Sequence, residues 1–244
     1  MFESLREWVP GDDTRIIDWK ASARHRKLIA RQYEEERRQQ VLLVLDSGRL
    51  LTEEIGGVSR MEFVIRAATD LAFAASRHED NIGVMVFSDR VEHYVAPQRG
   101  RRGVRQVLRA LAVTQPRLVE SDYPAAFRYL AIRNRKRGLT VLFTDVIDRA
   151  ASAALVANVV SLRPRHVALA VTLRNPELDA LAAIRPASEY QAYRKAAAEE
   201  LLRVREEALA HMRSAGVIVL DVLPGDAAPA VVARYLELKR RGRI

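Results

Sequence analysis

Short, unbroken apolar runs alternate along this chain with stretches of helical spacing, and that alternation constrains its fold more than any other feature. Residues 41–45 read VLLVL and residues 83–87 read GVMVF. A strand that meets solvent on one face alternates polar and apolar residues; an unbroken run suits a strand buried on both faces, as in a parallel sheet. By this criterion strands are expected at 28–35, 41–46, 82–87, 91–95, 139–144, 166–173 and 217–222.

Between them lie helical periods. Met61, Ile65, Ala68, Leu71 and Ala75 fall on one face of a helix over 60–78, opened by the capping-box pair Ser59 and Glu62. Further helices are expected over 104–113, from Tyr123 with Ser121 or Asp122 as cap, over 151–162, from Asn175-Pro176, over 188–214 with Gly216 ending it, and from Asp226 to about Arg241. The 188–214 helix carries Tyr190, Tyr193, Ala197, Leu201, Val204, Ala208 and Met212 as its apolar stripe, with Glu199, Glu200, Glu206 and Glu207 turned to solvent. The expected fold is a doubly wound, mostly parallel α/β sheet with helices on both faces. Ligands of such sheets sit beyond the carboxyl ends of the strands, which directs attention to 46–50, 88–89, 145–148 and Asp221. The first 27 residues fit the pattern poorly; they read as a charged N-terminal arm. The chain divides into 1–40, a signature segment with a leading strand, and 41–244, the α/β domain.

Several functions are excluded or disfavoured. Without cysteine there is no disulfide framework, thiol nucleophile or thiolate metal site. No P-loop, dinucleotide fingerprint or HExxH is present, and the five histidines share no ligand spacing. No apolar run reaches the roughly 18–20 residues of a membrane helix, and the N-terminus lacks a signal-peptide pattern; as written, the chain reads as cytoplasmic. The formal charge is +9. Residues 90–137 carry twelve bases and three acids, which accounts for a charge of that size. Arg99, Arg101, Arg102, Arg105 and Arg109, with Arg133, Arg135, Lys136 and Arg137, read either as a basic face for an anionic partner or as a solvated face inflated by codon bias. Only five of the forty bases are lysine, which favours the second reading, and without interleaved aromatics nucleic acid is disfavoured.

Residues 5–24 read LREWVPGDDTRIIDWKASAR and contain the pattern PGDDxRxIDW; RQYEEER, VLLVLDSGR, IGVMVFSD, APQRGRRG and TVLFTDVID follow. On these motifs the chain resembles the bacterial and archaeal domain-of-unknown-function family fifty-eight, which is related to the von Willebrand factor type A fold, itself Rossmann-like. The resemblance implies a non-catalytic protein-interaction domain, paired with MoxR-type AAA+ ATPases in assembly or maturation of protein complexes. It also implies extra sequence before the signature, often with two membrane helices, and therefore membrane attachment facing the cytoplasm or periplasm if the natural chain is longer.

Metal-binding type A domains use DxSxS after the first central strand, a Ser or Thr from a later loop and an Asp after the fourth strand. Carried over residue by residue, the resemblance implies Asp46, Ser121 and Asp145, with Thr144 a further candidate, around Mg²⁺ or Mn²⁺. The two serine positions hold Gly48 and Leu50, so either a weak, water-rich site remains or the aspartates orient loops through backbone amides. A Mg-dependent hydrolase is the enzymatic alternative. In the signature, Gly11, Asp12, Asp13, Arg15, Asp18 and Trp19 read as a partner-recognition surface. The competing reading packs Trp8 and Trp19 into a satellite core and pairs the aspartates with Arg15, Lys20, Arg24 and Arg26.

Overall fold

The structure, a computed structural model, describes residues 2–10, 12–33, 39–146, 149–162, 165–242 and 244. It forms two compact units, Met1–Arg38 and Gln39–Ile244.

In the first unit, β1 (Phe2–Glu7) pairs antiparallel with β2 (Ile29–Tyr33) around α1 (Trp19–His25). The signature supplies the caps. Asp13 accepts the Arg15 N–H at a 3-10 turn, and Asp18 accepts the Ala21 N–H at the start of α1. The Ser22 hydroxyl accepts the Ile29 N–H and donates to the Asp18 carbonyl, tying α1 to β2. The expected charged arm with its leading strand is thus an ordered β-α-β unit. The strand expected over 28–35 is seen from Ile29 to Tyr33, and its last positions lie outside the described residues.

The second unit opens with β3 (Gln40–Asp46), a two-residue ladder of β4 (Glu54–Ile55) and β5 (Val58–Ser59), and α2 (Arg60–Arg77). Then come β6 (Asn81–Phe87), β7 (Val91–Arg99), α3 (Gly100–Ala112), α4 (Tyr123–Arg133), β8 (Leu139–Phe143), α5 (Arg149–Ser161) and β9 (Val167–Leu173). It closes with α6 (Pro176–Ala183), α7 (Glu189–Ser214), β10 (Ile218–Val222) and α8 (Ala227–Arg240). The sheet order is β10-β9-β8-β3-β6-β7, parallel throughout except for the edge strand β7. β7 runs four residues beyond the expected 91–95, because its pairing with β6 persists to Arg99.

The side-chain alternation of β3 divides the core. Val41, Leu43 and Leu45 face a layer built from α2, α3 and α8; Leu42 and Val44 face a layer built from α4, α5 and α7. Both faces of the strand are therefore apolar, as the unbroken run required.

Helix α7 departs from the expected stripe. Ala198, Arg205, Leu209 and Met212 are buried, while Tyr190 and Tyr193 are 70% and 75% exposed. Met212 is buried as expected, but α7 packs against α5, α6 and β10 together, so the helix has no single core-facing stripe along its length. Glu199, Glu200, Glu206 and Glu207 are exposed, as expected.

The amino-end side of the sheet is closed by Asp80, fully buried before β6. It accepts the Gln39 N–H (2.9 Å), the Tyr235 hydroxyl (2.5 Å) and the Lys239 ammonium (2.7 Å), pinning α8 to the sheet. Burial and the Asp80 carboxylate hold the Tyr235 phenol far above its ordinary pKa. Removing one partner of a buried charged cluster leaves the others unsatisfied. Asp80→Ala is expected to lower unfolding free energy by about 3 kcal/mol in urea denaturation; a loss below about 1 kcal/mol, the worth of one ordinary hydrogen bond, would show that the clamp is not structural.

Candidate functional site

The carboxyl ends of β3, β8, β9 and β10 gather a cluster of polar and charged residues. β3 ends on Asp46, β8 leads into Thr144 and Asp145, β9 into Arg174, and Asp221 lies in β10. Two carboxylates form separate centres.

Asp46 is fully buried and surrounded by donors. Its Oδ1 accepts the Gly48 backbone N–H (2.9 Å) and the Ser121 hydroxyl; its Oδ2 accepts the Tyr123 hydroxyl (2.6 Å) and the Thr144 hydroxyl (2.8 Å). The Tyr123 and Thr144 oxygens also stand 2.9 Å apart. An ionised carboxylate offers about four lone-pair directions, and four protein groups address them. Burial, followed by the nearby Asp46 charge, raises the Tyr123 phenol well above its ordinary pKa, so it stays a donor. The expected Ser121 is present; Tyr123 is an addition, delivered by the first turn of α4, which Asp122 caps through the Ala125 N–H (2.8 Å). Thr144 turns to Asp46 rather than into the sheet.

Asp145 faces cations. Its Oδ1 accepts the Val146 N–H (2.8 Å) and an Arg205 Nη1 donor, and its Oδ2 lies 2.6 Å from Arg60 Nη2. Arg60, the first residue of α2, also engages Glu53 and the Leu173 carbonyl. Arg205, midway along α7, reaches the same carbonyl (3.1 Å) and Asp221 (2.6 Å). Burial alone would lower the Arg205 pKa; the charges of Asp145 and Asp221 outweigh it and hold the pKa above its ordinary value. Outward of this network opens a cleft of about 430 Å³, whose lining includes Arg60, Asp145, Arg174, Leu201, Arg205 and Asp221.

These residues do not fit the divalent cation that the type A resemblance implies. Such an ion needs about six hard oxygens. The Asp46 oxygens already hold protein donors, and Asp145 already faces two guanidinium cations that would repel a third positive charge. Leu50, at the third motif position, is buried and apolar. Gly48, at the second, leaves no room for a side chain unless Ser121 shifts, because an added Cβ would lie 2.1 Å from Ser121 Oγ and 3.0 Å from the Val119 carbonyl. Among the described residues no group of three or more His, Cys, Asp or Glu side chains is arranged to hold a metal.

The remaining sequence candidates are dispersed. Gly11 lies outside the described residues, as does Asp148. Asp12 forms a two-pronged pair with Arg6 (2.6 and 2.8 Å), a partner the sequence reading overlooked, and that pairing lowers its pKa to about 2. Asp13 and Asp18 are capping residues, Asp13 taking the backbone of Arg15 rather than its side chain. Trp19 is 67% exposed, which contradicts its part in the satellite-core reading, while Trp8 is half-buried. Arg99 pairs with Glu79 (2.7 Å), while Arg101, Arg102 and Arg105 are exposed on α3. The single basic face is also corrected: α3 and α4, which ends at Arg133, lie on opposite layers of the sheet. Arg60 and Arg205 were missed because each sits in a helix whose apolar spacing gave no sign of a buried charge. The available signal was the cluster of aspartates at adjacent strand ends, which demands cations.

Restoring the motif serine should therefore harm the protein. Gly48→Ser is expected to displace Ser121 from Asp46 and cost about 1–3 kcal/mol in thermal or urea unfolding, without conferring Mg²⁺-dependent stabilisation; unchanged stability would contradict the packing argument.

Comparisons with known proteins place the chain. Residues 4–215 match the family described as Protein of unknown function DUF58. The uncharacterized protein Rv1480 of Mycobacterium tuberculosis is 26% identical over 173 residues, covering 70% of this chain and 54% of that protein. The chain thus spans about half the length of the curated relatives it matches. Among solved structures, BatB from Bacteroides thetaiotaomicron has 13% identity and a TM-score of 0.53, over 82% of this chain and 98% of that one. The PilB minor pilin from Streptococcus sanguinis has 8% identity and a TM-score of 0.55, over 88% and 64%. These likenesses concern the fold. The chain belongs to the DUF58 family, and its second unit has a von Willebrand factor A-like fold.

Proposed function

We propose that this DUF58 chain is a non-catalytic protein-interaction domain that works without a metal ion and engages its partner over the cleft at the carboxyl ends of β8, β9 and β10. The observation that carries this reading is that four protein donors hold Asp46 and two guanidinium cations flank Asp145. A hydrolase would need one of these carboxylates available to orient a metal or a water, and both are engaged. What the cleft does offer is a preorganised rim: Leu201 and Arg174 are exposed beside buried, fixed charges. Fixed charges of both signs at a concave surface favour selective recognition of one protein partner over others.

The partner implied by the family resemblance is a MoxR-type AAA+ ATPase. The test is direct binding between the full chain and such an ATPase from the same organism, measured by biolayer interferometry. Leu201→Glu and Arg174→Glu should each weaken binding about tenfold, an effect of about 1.4 kcal/mol, while leaving the melting temperature unchanged, and EDTA should have no effect. Binding that ignores both substitutions, or that EDTA abolishes, would contradict the proposal.

Among the described residues no helix is long and apolar enough to cross a membrane.

A further inference from the structure

A second surface, on the opposite layer from α7, has the chemistry of a binding groove. Between α2 and α3 lies a concavity of about 570 Å³, lined by Phe73, Ser76, Arg77, Arg101, Val104, Arg105 and Leu108. Val104 is buried and Leu108 half-buried at its floor, and Phe73 is 48% exposed at its wall. Three arginines surround this apolar floor, and no carboxylate lines it.

Some arginines of the chain hold carboxylates, among them Arg6, Arg60, Arg117, Arg174, Arg203 and Arg205. Among the described residues, Arg77, Arg101 and Arg105 form no ion pair. Their placement is also unfavourable for α3 itself. Arg101 and Arg102 occupy its first turn, where the macrodipole disfavours cations, and no acid in that turn balances them. Uncompensated positive charge around a half-exposed aromatic matches a ligand that brings both carboxylates and an apolar group.

From this groove we infer that the domain binds an acidic, amphipathic peptide segment of a partner protein, one apolar side chain entering between α2 and α3 and flanking Asp or Glu residues meeting Arg77, Arg101 and Arg105. Helix pairs commonly receive peptides in this way, with the apolar anchor giving affinity and the charges giving orientation. A nucleic-acid backbone would satisfy the arginines but brings no apolar group for Phe73, Val104 and Leu108, and one aromatic ring is not a stacking platform. A lipid surface is broad and flat, whereas this site is concave. The inference concerns a different surface from the cleft and stands independently of it.

Fluorescence anisotropy on the full chain tests it. The probe is a short labelled peptide with a central Leu flanked by Glu residues; the controls replace Leu by Ser, or Glu by Lys. Vesicles of phosphatidylcholine with phosphatidylglycerol and a single-stranded DNA oligonucleotide are the competing ligands. The Glu–Leu peptide should bind saturably, more weakly as salt rises. Binding should weaken about tenfold or more in Arg101→Glu/Arg105→Glu and also weaken in Phe73→Ala, which keeps every charge. All of these side chains are at least partly exposed, so unchanged circular dichroism and melting would confirm that the variants fold. No saturable peptide binding, binding indifferent to the substitutions or to the Leu, or tighter binding of vesicles or oligonucleotide would each overturn the inference.

Discussion

Two guanidinium groups, Arg60 and Arg205, converge on the buried carboxylate of Asp145, and the carboxyl-end geometry of the domain depends on that convergence. Arg60 opens α2 in one helical layer; Arg205 lies in α7 in the other. Asp145 follows the strand between them, and both arginines also reach the Leu173 carbonyl at the end of β9. The contact therefore fastens the two layers across the end of the sheet, where backbone pairing has stopped. Each charge is stranded if its partner is removed, so the network behaves as a unit.

The same contact explains how a type A-like fold is organised here without the usual ligand set. In a metal-binding relative the cation would draw together the loops after the first and fourth central strands. Here hydroxyls and a backbone amide close around Asp46, and arginines close around Asp145. Gly48 belongs to this arrangement, because the missing Cβ makes room for Ser121 to reach Asp46. A rim fixed by internal bonds suits recognition of a partner better than a reaction that must exchange ligands.

Legibility in the sequence followed burial. The strands β3, β6, β8 and β9 were readable because both faces are covered and their apolar runs are unbroken. Asp46 and Asp145 were identifiable because the family motif places polar residues at the ends of those strands, and Ser121 because it draws a hydroxyl from a later loop. The extent of β7 was harder to see, since an edge strand is only half-buried and its residues carry a weaker signal. The extent of the first unit and its strand β2 were legible, but β1 and α1 were not, because their order rests on caps and a short antiparallel ladder rather than an apolar period. Arg60 and Arg205 were invisible because burial of a charge depends on what another element brings to it, and helical spacing carries no record of that. The basic block of 90–137 read as one face because it is contiguous in sequence, whereas the chain crosses from one layer to the other between α3 and α4.

The central claim, that protein donors and cations stand in for a metal at the end of the sheet, is tested most directly by the thermal midpoint of the purified chain in EDTA and in excess Mg²⁺ or Mn²⁺. Any ligand that binds the native state raises the midpoint. The account predicts the same midpoint in all three conditions. A metal-dependent rise that Asp145→Asn removes would contradict it.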